Sequence, residues 1–191
     1  MHLGALKHVR GVVDGRPQVA VIEIPDGEEG TKATIEVMRR LAVADAHNPE
    51  FAKWARAIVR DVGSKDYRAE GQRIYDFVKK NVRYRLDPRG LEWVQSPYWT
   101  LLVDGQGDCD DQATLLVALS VALGHGAAFV TVKVDPDRPE EFSHVYASIG
   151  ITEDRHEKWI AMDTTQQKQS FGWEPPKERV LGRKVWVVSQ P

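Results

Sequence analysis

The sequence contains very little cysteine, has only a small excess of negative charge and lacks long apolar runs. Cys109 is the single cysteine in 191 residues, which excludes an intramolecular disulfide framework and a zinc site built from several cysteines. Lys and Arg number 26 against 28 Asp and Glu, so bulk charge favours neither a nucleic acid nor a membrane surface as partner. Residues 1–15 lack the apolar core of a signal peptide, and no apolar run is long enough to span a membrane. We therefore expect the chain to fold in a cytoplasm.

The order of predicted elements favours an α+β fold. Residues 1–25 are predicted to form a β-hairpin appendage, with its turn at Asp14-Gly15, and residues 26–191 to form a single domain. Amphipathic helices are predicted at 31–46, 48–63 and 67–81, and β-type segments follow from residue 127 onward. In this interpretation, Trp54 and Tyr84 are core residues. Helices followed by antiparallel strands are typical of α+β proteins rather than of a doubly wound parallel sheet.

The helix predicted to begin beside Cys109 is unusual for its composition. Residues 113–123 are hydrophobic nearly all round, which indicates a helix at the centre of the core. Asp108 is its predicted N-cap, and Asp111 stands where an acidic variant of a capping box needs a carboxylate. The first turn of a helix favours a thiolate at Cys109, whereas the surrounding aspartates oppose it. The thiol therefore needs a separate activating group; the alternative is that Cys109 is a small buried apolar residue.

His144 is the histidine best placed to activate the thiol, because it alone of six histidines lies inside a strand-like run. If the next hairpin is centred between Glu153 and Asp154, His144 faces Asp163, with Cβ atoms about 5 Å apart. A carboxylate at that distance can orient an imidazole. A slip of one residue would place the two on opposite faces of the sheet. The alternative is a packed core histidine.

Three segments carry a resemblance to a known family. "GDCDDQATLLVALSVALG", "SHVYASI" and "WIAMDTT" resemble the nucleophile, histidine and aspartate segments of the transglutaminase-like superfamily of papain-related cysteine enzymes. The lead-in "NVRYRLDPRGLEWVQSP" is similar to that of transglutaminase-like proteins in bacteria and bacteriophages. The resemblance covers about residues 69–165. It implies a papain/transglutaminase-like fold, with a helical N-terminal half and a central nucleophile helix packed on an antiparallel sheet.

The resemblance also implies a function. Cys109 would be the nucleophile, His144 the general base and then acid, and Asp163 the residue that orients it. The expected activity is that of a cysteine-dependent hydrolase, peptidase-like or isopeptidase-like, acting on a protein or peptide through a thioester. The backbone amide of Cys109 and a side-chain donor, Gln95 or Trp99, would bind the oxyanion; the alternative for Gln95 is an ordinary loop glutamine.

No cofactor or metal is expected, because "DGQGDCDD" lacks the glutamate and the spacing of a calcium-binding helix-loop-helix. Two further functions stay open: an acyltransferase of the transglutaminase type, and a non-catalytic virion or assembly component that keeps the fold for protein binding. If a phage encodes the chain, its partners would include phage structural proteins, and its location would be the virion instead of the cytoplasm.

Overall fold

The protein is described by a computed structural model that covers residues 8–13, 16–22, 27–87, 92–153 and 156–190. The N-terminal part contains β1 (His8–Val13), β2 (Arg16–Ile22), α1 (Gly27–Ala46), α2 (Pro49–Val59), α3 (Tyr67–Asn81), β3 (Arg83–Tyr84), β4 (Glu92–Gln95) and α4 (Pro97–Trp99), which continues into a π-helical turn (Thr100–Asp104). The C-terminal part contains β5 (Gln106–Gly107), α5 (Cys109–Ala122), β6 (Gly126–Lys133), β7 (His144–Glu153), β8 (His156–Met162) and β9 (Gly182–Ser189).

The helices of the N-terminal half begin at side chains that cap them. Asn48 accepts a hydrogen bond of 2.9 Å from the Glu50 amide at the start of α2, and Asp66 accepts one of 3.0 Å from the Ala69 amide at the start of α3. The predicted start of α2 and both ends of α3 are confirmed. The prediction for Trp54 is wrong, since its side chain lies at the surface with 46% of its area exposed.

The core lies between the helices and a four-stranded antiparallel sheet of order β8-β7-β6-β9. α5 is buried along almost its whole length and packs on α1 and on β7. A helix without a polar face is stable only when it is covered on all sides, which explains its central position. The predicted α+β class and the central position of α5 are confirmed.

The hairpin β1–β2 joins a second, three-stranded sheet through β4, with Val19 opposite Gln95. The predicted turn at Asp14-Gly15 lies outside the described residues, and the division into an appendage (1–25) and one domain (26–191) stays a prediction. Within the described ranges, no helix combines the length and the apolarity that a membrane crossing requires.

Candidate active site

Cys109 is the first residue of α5 and is only partly buried. Asp108 is the N-cap, and its Oδ1 accepts a hydrogen bond of 3.3 Å from the Asp110 amide. The helix fixes the position of the sulfur, while the start of the helix keeps it accessible. This is the geometry that a nucleophile at the end of a core helix requires.

Asp111 does not complete a capping box, contrary to the prediction. Its fully buried carboxylate accepts hydrogen bonds from the backbone amide of Gln95 at 2.7 Å and from Nε2 of Gln95 at 2.8 Å. The strand β4 passes close to the start of α5. The carboxylate of Asp111 therefore accepts hydrogen bonds from Gln95 of this strand and not from the amides at the start of its own helix.

The two residues predicted to bind an oxyanion, Gln95 and Trp99, differ in how the structure places them. Nε2 of Gln95 donates to Asp111 and also to the carbonyl of Gln106 at 3.3 Å, which uses both of its protons. Trp99 does not line the cavity described below, and its backbone amide donates to Oγ of Ser96 at the start of α4. Gln95 has no amide proton left for an oxyanion in this geometry, whereas the role of Trp99 stays a prediction.

His144 and Asp163 are in direct contact. Nε2 of His144 lies 2.8 Å from Oδ2 of Asp163, whose side chain is buried. The other carboxylate oxygen, Oδ1, accepts hydrogen bonds from the amide of Thr165 at 3.1 Å and from its hydroxyl at 2.6 Å. With a proton on Nε2, the imidazole keeps Nδ1 as the nitrogen that can take up another proton.

The strand register that produces this contact differs from the predicted one. In the β7–β8 hairpin Ala147 faces Met162 and Glu153 faces His156, so the hairpin centre lies one residue further along the chain than predicted, which shifts the pairing by two. Asp163 is therefore a diagonal neighbour of His144 and follows the end of β8. Because side chains alternate with a period of two, a shift of two residues keeps both on the same face.

Cys109 and His144 line the same cavity, which has a volume of about 270 Å³. One wall comes from α1 and the other from the loop between β6 and β7 together with the start of β7. The remaining lining residues are Thr31, Thr34, Ile35, Met38, Asp108, Asp110, Thr131, Arg138, Phe142, Ser143 and Val145. The structure thus brings the sulfur and the imidazole to one cleft, with Asp163 behind the imidazole.

A comparison with protein families agrees with this arrangement. Residues 52–164 match the model of the Transglutaminase-like superfamily. This range includes Cys109, His144 and Asp163. The chain belongs to this superfamily. The resemblance found in the sequence is confirmed, and the match extends further toward the N-terminus, into α2.

Solved structures similar to this transglutaminase-like chain come from several bacteria. A candidate cysteine protease from Cytophaga hutchinsonii has a TM-score of 0.51 at 18% identity, covering 90% of this chain and 53% of that one. Legionella pneumophila LapG has a TM-score of 0.46 at 16% identity, covering 82% of this chain and 87% of that one. This chain thus spans about half the length of the Cytophaga protein, and identity at this level shows the fold alone. No curated protein matches the sequence.

Two of the aspartates beside the sulfur of this transglutaminase-like protein, Asp110 and Asp111, have raised pKa values. Burial raises the pKa of Asp110 well above its usual range, and the neighbouring carboxyls of Asp108 and Asp111 raise it further. Burial likewise raises the pKa of Asp111 well above the usual range, against the hydrogen bonds from Gln95. A raised pKa lowers the negative charge that a carboxyl carries at a given pH, so these two neighbours oppose ionisation of the sulfur less than ordinary aspartates would.

One group of side chains in the described ranges has the composition of a metal ligand set. Asp108, Cys109 and Asp110 offer ligand atoms that all lie within 4.8 Å of one another, so they could approach a single cation. Three adjacent residues of one helix start provide few of the oxygen ligands that Ca²⁺ requires, and the sulfur is a poor ligand for such a hard ion.

Tyr84 stands beside the site, although the sequence interpretation assigned it to the core. It is 46% exposed, and the parallel pairing of β3 with β5 places it opposite Gly107. Partial desolvation raises the pKa of Tyr84 to about 12, with smaller contributions from the charges of Cys109 and Asp108. No sequence pattern predicts that Tyr84 lies beside the site, because two paired residues from distant segments leave no periodic signal.

Proposed function

We propose that this transglutaminase-like protein is a cysteine-dependent hydrolase that cleaves a peptide or isopeptide amide. The observation that carries the proposal is the contact of 2.8 Å between His144 and the buried Asp163, at a cavity that Cys109 also lines. A nucleophile, a base and a group that orients the base are the parts that covalent acyl transfer requires.

The proposed reaction has two steps. Nδ1 of His144 takes the proton of Cys109, and the thiolate attacks the amide carbon to form a tetrahedral oxyanion. The imidazolium then protonates the leaving amine, the C–N bond breaks, and a thioester to Cys109 remains. Water, deprotonated by His144, attacks the thioester; the C–S bond breaks, the acid leaves, and the proton returns to the sulfur. Asp163 keeps the ring oriented and stabilises its charged form throughout.

The choice of a protein or peptide as substrate is supported by two observations. The Cytophaga protein of the same fold is described as a candidate cysteine protease, although it shares only 18% identity with this chain. The cavity is bordered by a loop and a helix and not enclosed in the core, which suits an extended polypeptide. Location in a cytoplasm or in a phage particle, and phage structural proteins as partners, stay predictions.

Thiol reactivity tests the proposed triad. We expect iodoacetamide to alkylate Cys109 faster near pH 6 than it alkylates an ordinary thiol, whose pKa is about 8.5. His144→Ala should remove this advantage. His156→Ala is the matched control, since His156 lies exposed at the start of β8. Equal rates in both variants and in the wild type would defeat the proposal.

Product analysis tests the reaction itself. Cys109→Ala should abolish cleavage of a protein substrate, and the wild type quenched in acid should carry an acyl group on Cys109 that hydroxylamine releases. A product joined to an added primary amine in preference to hydrolysis would identify an acyltransferase instead. Binding of protein without any Cys109-dependent product would identify a non-catalytic component.

A further inference from the structure

Gln112 connects the two halves of the candidate active site. It lies one turn after Cys109 on α5 and is only 1% exposed. Its Nε2 donates to the carbonyl of Gly107 at 3.1 Å, and its Oε1 accepts a hydrogen bond of 2.7 Å from the hydroxyl of Thr164. Thr164, also 1% exposed, follows Asp163 directly in the chain. One amide side chain therefore ties the segment before the nucleophile to the segment that carries the acid.

This connection matters because the sulfur and the imidazole are held by different elements. Cys109 is held by α5, whereas the backbone of His144 is held by β7 and its imidazole ring contacts Asp163, which follows the end of β8. The position of Asp163 relative to α5 therefore affects how the imidazole ring is oriented toward the sulfur. Thr164 is adjacent to Asp163, so its hydrogen bond to Gln112 restrains the position of Asp163 relative to α5.

We propose that Gln112 is a positioning residue that aligns Cys109 with the His144–Asp163 pair. The inference rests on the proposed function, and Gln112 itself contacts none of the reacting groups. Packing alone gives no reason for an amide here, because the helix continues with apolar residues and burial of an amide is costly unless both ends are bonded. A buried polar contact that is satisfied at both ends fixes a geometry more sharply than apolar packing does.

Two substitutions break this contact in different ways. Thr164→Val removes the hydroxyl at nearly constant volume, and Gln112→Leu removes both hydrogen bonds of the amide. Thr164→Ser keeps the hydroxyl and should restore the contact. Ser148→Ala is the matched control, because it removes a buried hydroxyl that donates to the carbonyl of Ile160 at 3.2 Å in the same sheet, away from the cavity.

The readout is the pH dependence of Cys109 alkylation by iodoacetamide, measured with the melting temperature of each variant. We expect Thr164→Val and Gln112→Leu to lose reactivity near pH 6 by about tenfold to a hundredfold, as small displacements of reacting groups do. Their profiles should move toward that of an ordinary thiol, with a midpoint of about 8.5. Thr164→Ser and Ser148→Ala should keep the wild-type profile, even where the melting temperature falls.

Two results would overturn the proposal, and they are distinguishable. If wild-type reactivity depends on His144 but Thr164→Val and Gln112→Leu keep the wild-type profile, the contact is only structural and the proposed function stands. If wild-type reactivity near pH 6 does not depend on His144, the proposed function fails, and the positioning role fails with it.

Discussion

Nε2 of His144 lies 2.8 Å from Oδ2 of Asp163, although the two residues are not direct partners in the β7–β8 ladder. The contact is possible because diagonal neighbours on one face of an antiparallel pair remain within reach of long side chains. It fixes which nitrogen of the imidazole carries the proton, and this choice depends on the carboxylate as acceptor.

We therefore expect Asp163→Asn to lower turnover and the alkylation rate near pH 6 on the order of a hundredfold or more, since an amide can hold the ring in the wrong tautomer. Steady-state cleavage and alkylation kinetics measure this effect. Asp76→Asn is the control, because Asp76 is an exposed carboxylate on α3 that accepts a hydrogen bond from Gln72. Wild-type rates in Asp163→Asn would show that the contact has no catalytic role.

Local patterns predicted the elements of this fold well. Helix α3 and the apolar α5 follow from the 3.6-residue period and from capping residues, and both occur where predicted. The contact of His144 with Asp163 survived an error of one residue in the hairpin centre, because this error shifts the pairing by two residues, an even number. If the strand pairing had been shifted by an odd number of residues, the side chains of His144 and Asp163 would lie on opposite faces of the sheet.

The hydrogen bonds that hold the start of α5 against its neighbouring segments could not be predicted in the same way. The contacts of Asp111 with Gln95 and of Gln112 with Thr164 join residues far apart in the chain, and neither has a periodic signature. Carboxylates near a helix start favour a capping interpretation, and only the close passage of β4 shows that Asp111 serves a neighbour. Trp54 likewise continues the apolar stripe of α2, but 46% of its area is exposed.

Gly107 has no side chain, and the side chain of Asp111 lies where a Cβ at residue 107 would be. Adding one methyl group at this position should therefore destabilise the fold. A Cβ at Gly107 would lie 2.5 Å from Cβ of Asp111 and 2.6 Å from its Oδ2. Gly107→Ala should therefore lower the free energy of unfolding by about 1–3 kcal/mol, the usual effect of overpacking. Urea denaturation measures it, with Gly63→Ala as control, since a Cβ there meets no heavy atom within 4 Å. Equal stabilities of the two variants would contradict this packing.

The hydroxyl of Tyr84 should keep its proton at a pH where ordinary tyrosines ionise. Desolvation and the nearby charges of Cys109 and Asp108 raise the pKa of Tyr84 to about 12. The ¹³C signal of its Cζ, assigned by its loss in Tyr84→Phe, should stay nearly unchanged between pH 9 and 11, across the usual tyrosine pKa of about 10. Cys109→Ala should lower this pKa only slightly, because desolvation is the largest cause. A midpoint near 10 in the wild type would refute the expected environment.

Asp87 should make stability fall as the pH rises through the weakly acidic range. Burial raises the pKa of Asp87 from 3.8 to about 6, although its carboxylate accepts a hydrogen bond from the Trp93 amide. Between these values the folded chain keeps a proton that the unfolded chain has released, so the free energy of unfolding decreases with increasing pH. Below about 4 both states hold the proton, and above about 6 the loss is complete.

Asp87→Asn removes this titration while the amide oxygen can still accept the hydrogen bond from Trp93. The melting temperature of the variant minus that of the wild type should therefore be more positive at pH 7 than at pH 4. Thermal unfolding followed by circular dichroism at both pH values, in the same ionic strength, measures the difference. A difference between variant and wild type that is the same at pH 4 and pH 7 would mean that the pKa of Asp87 is not raised by folding.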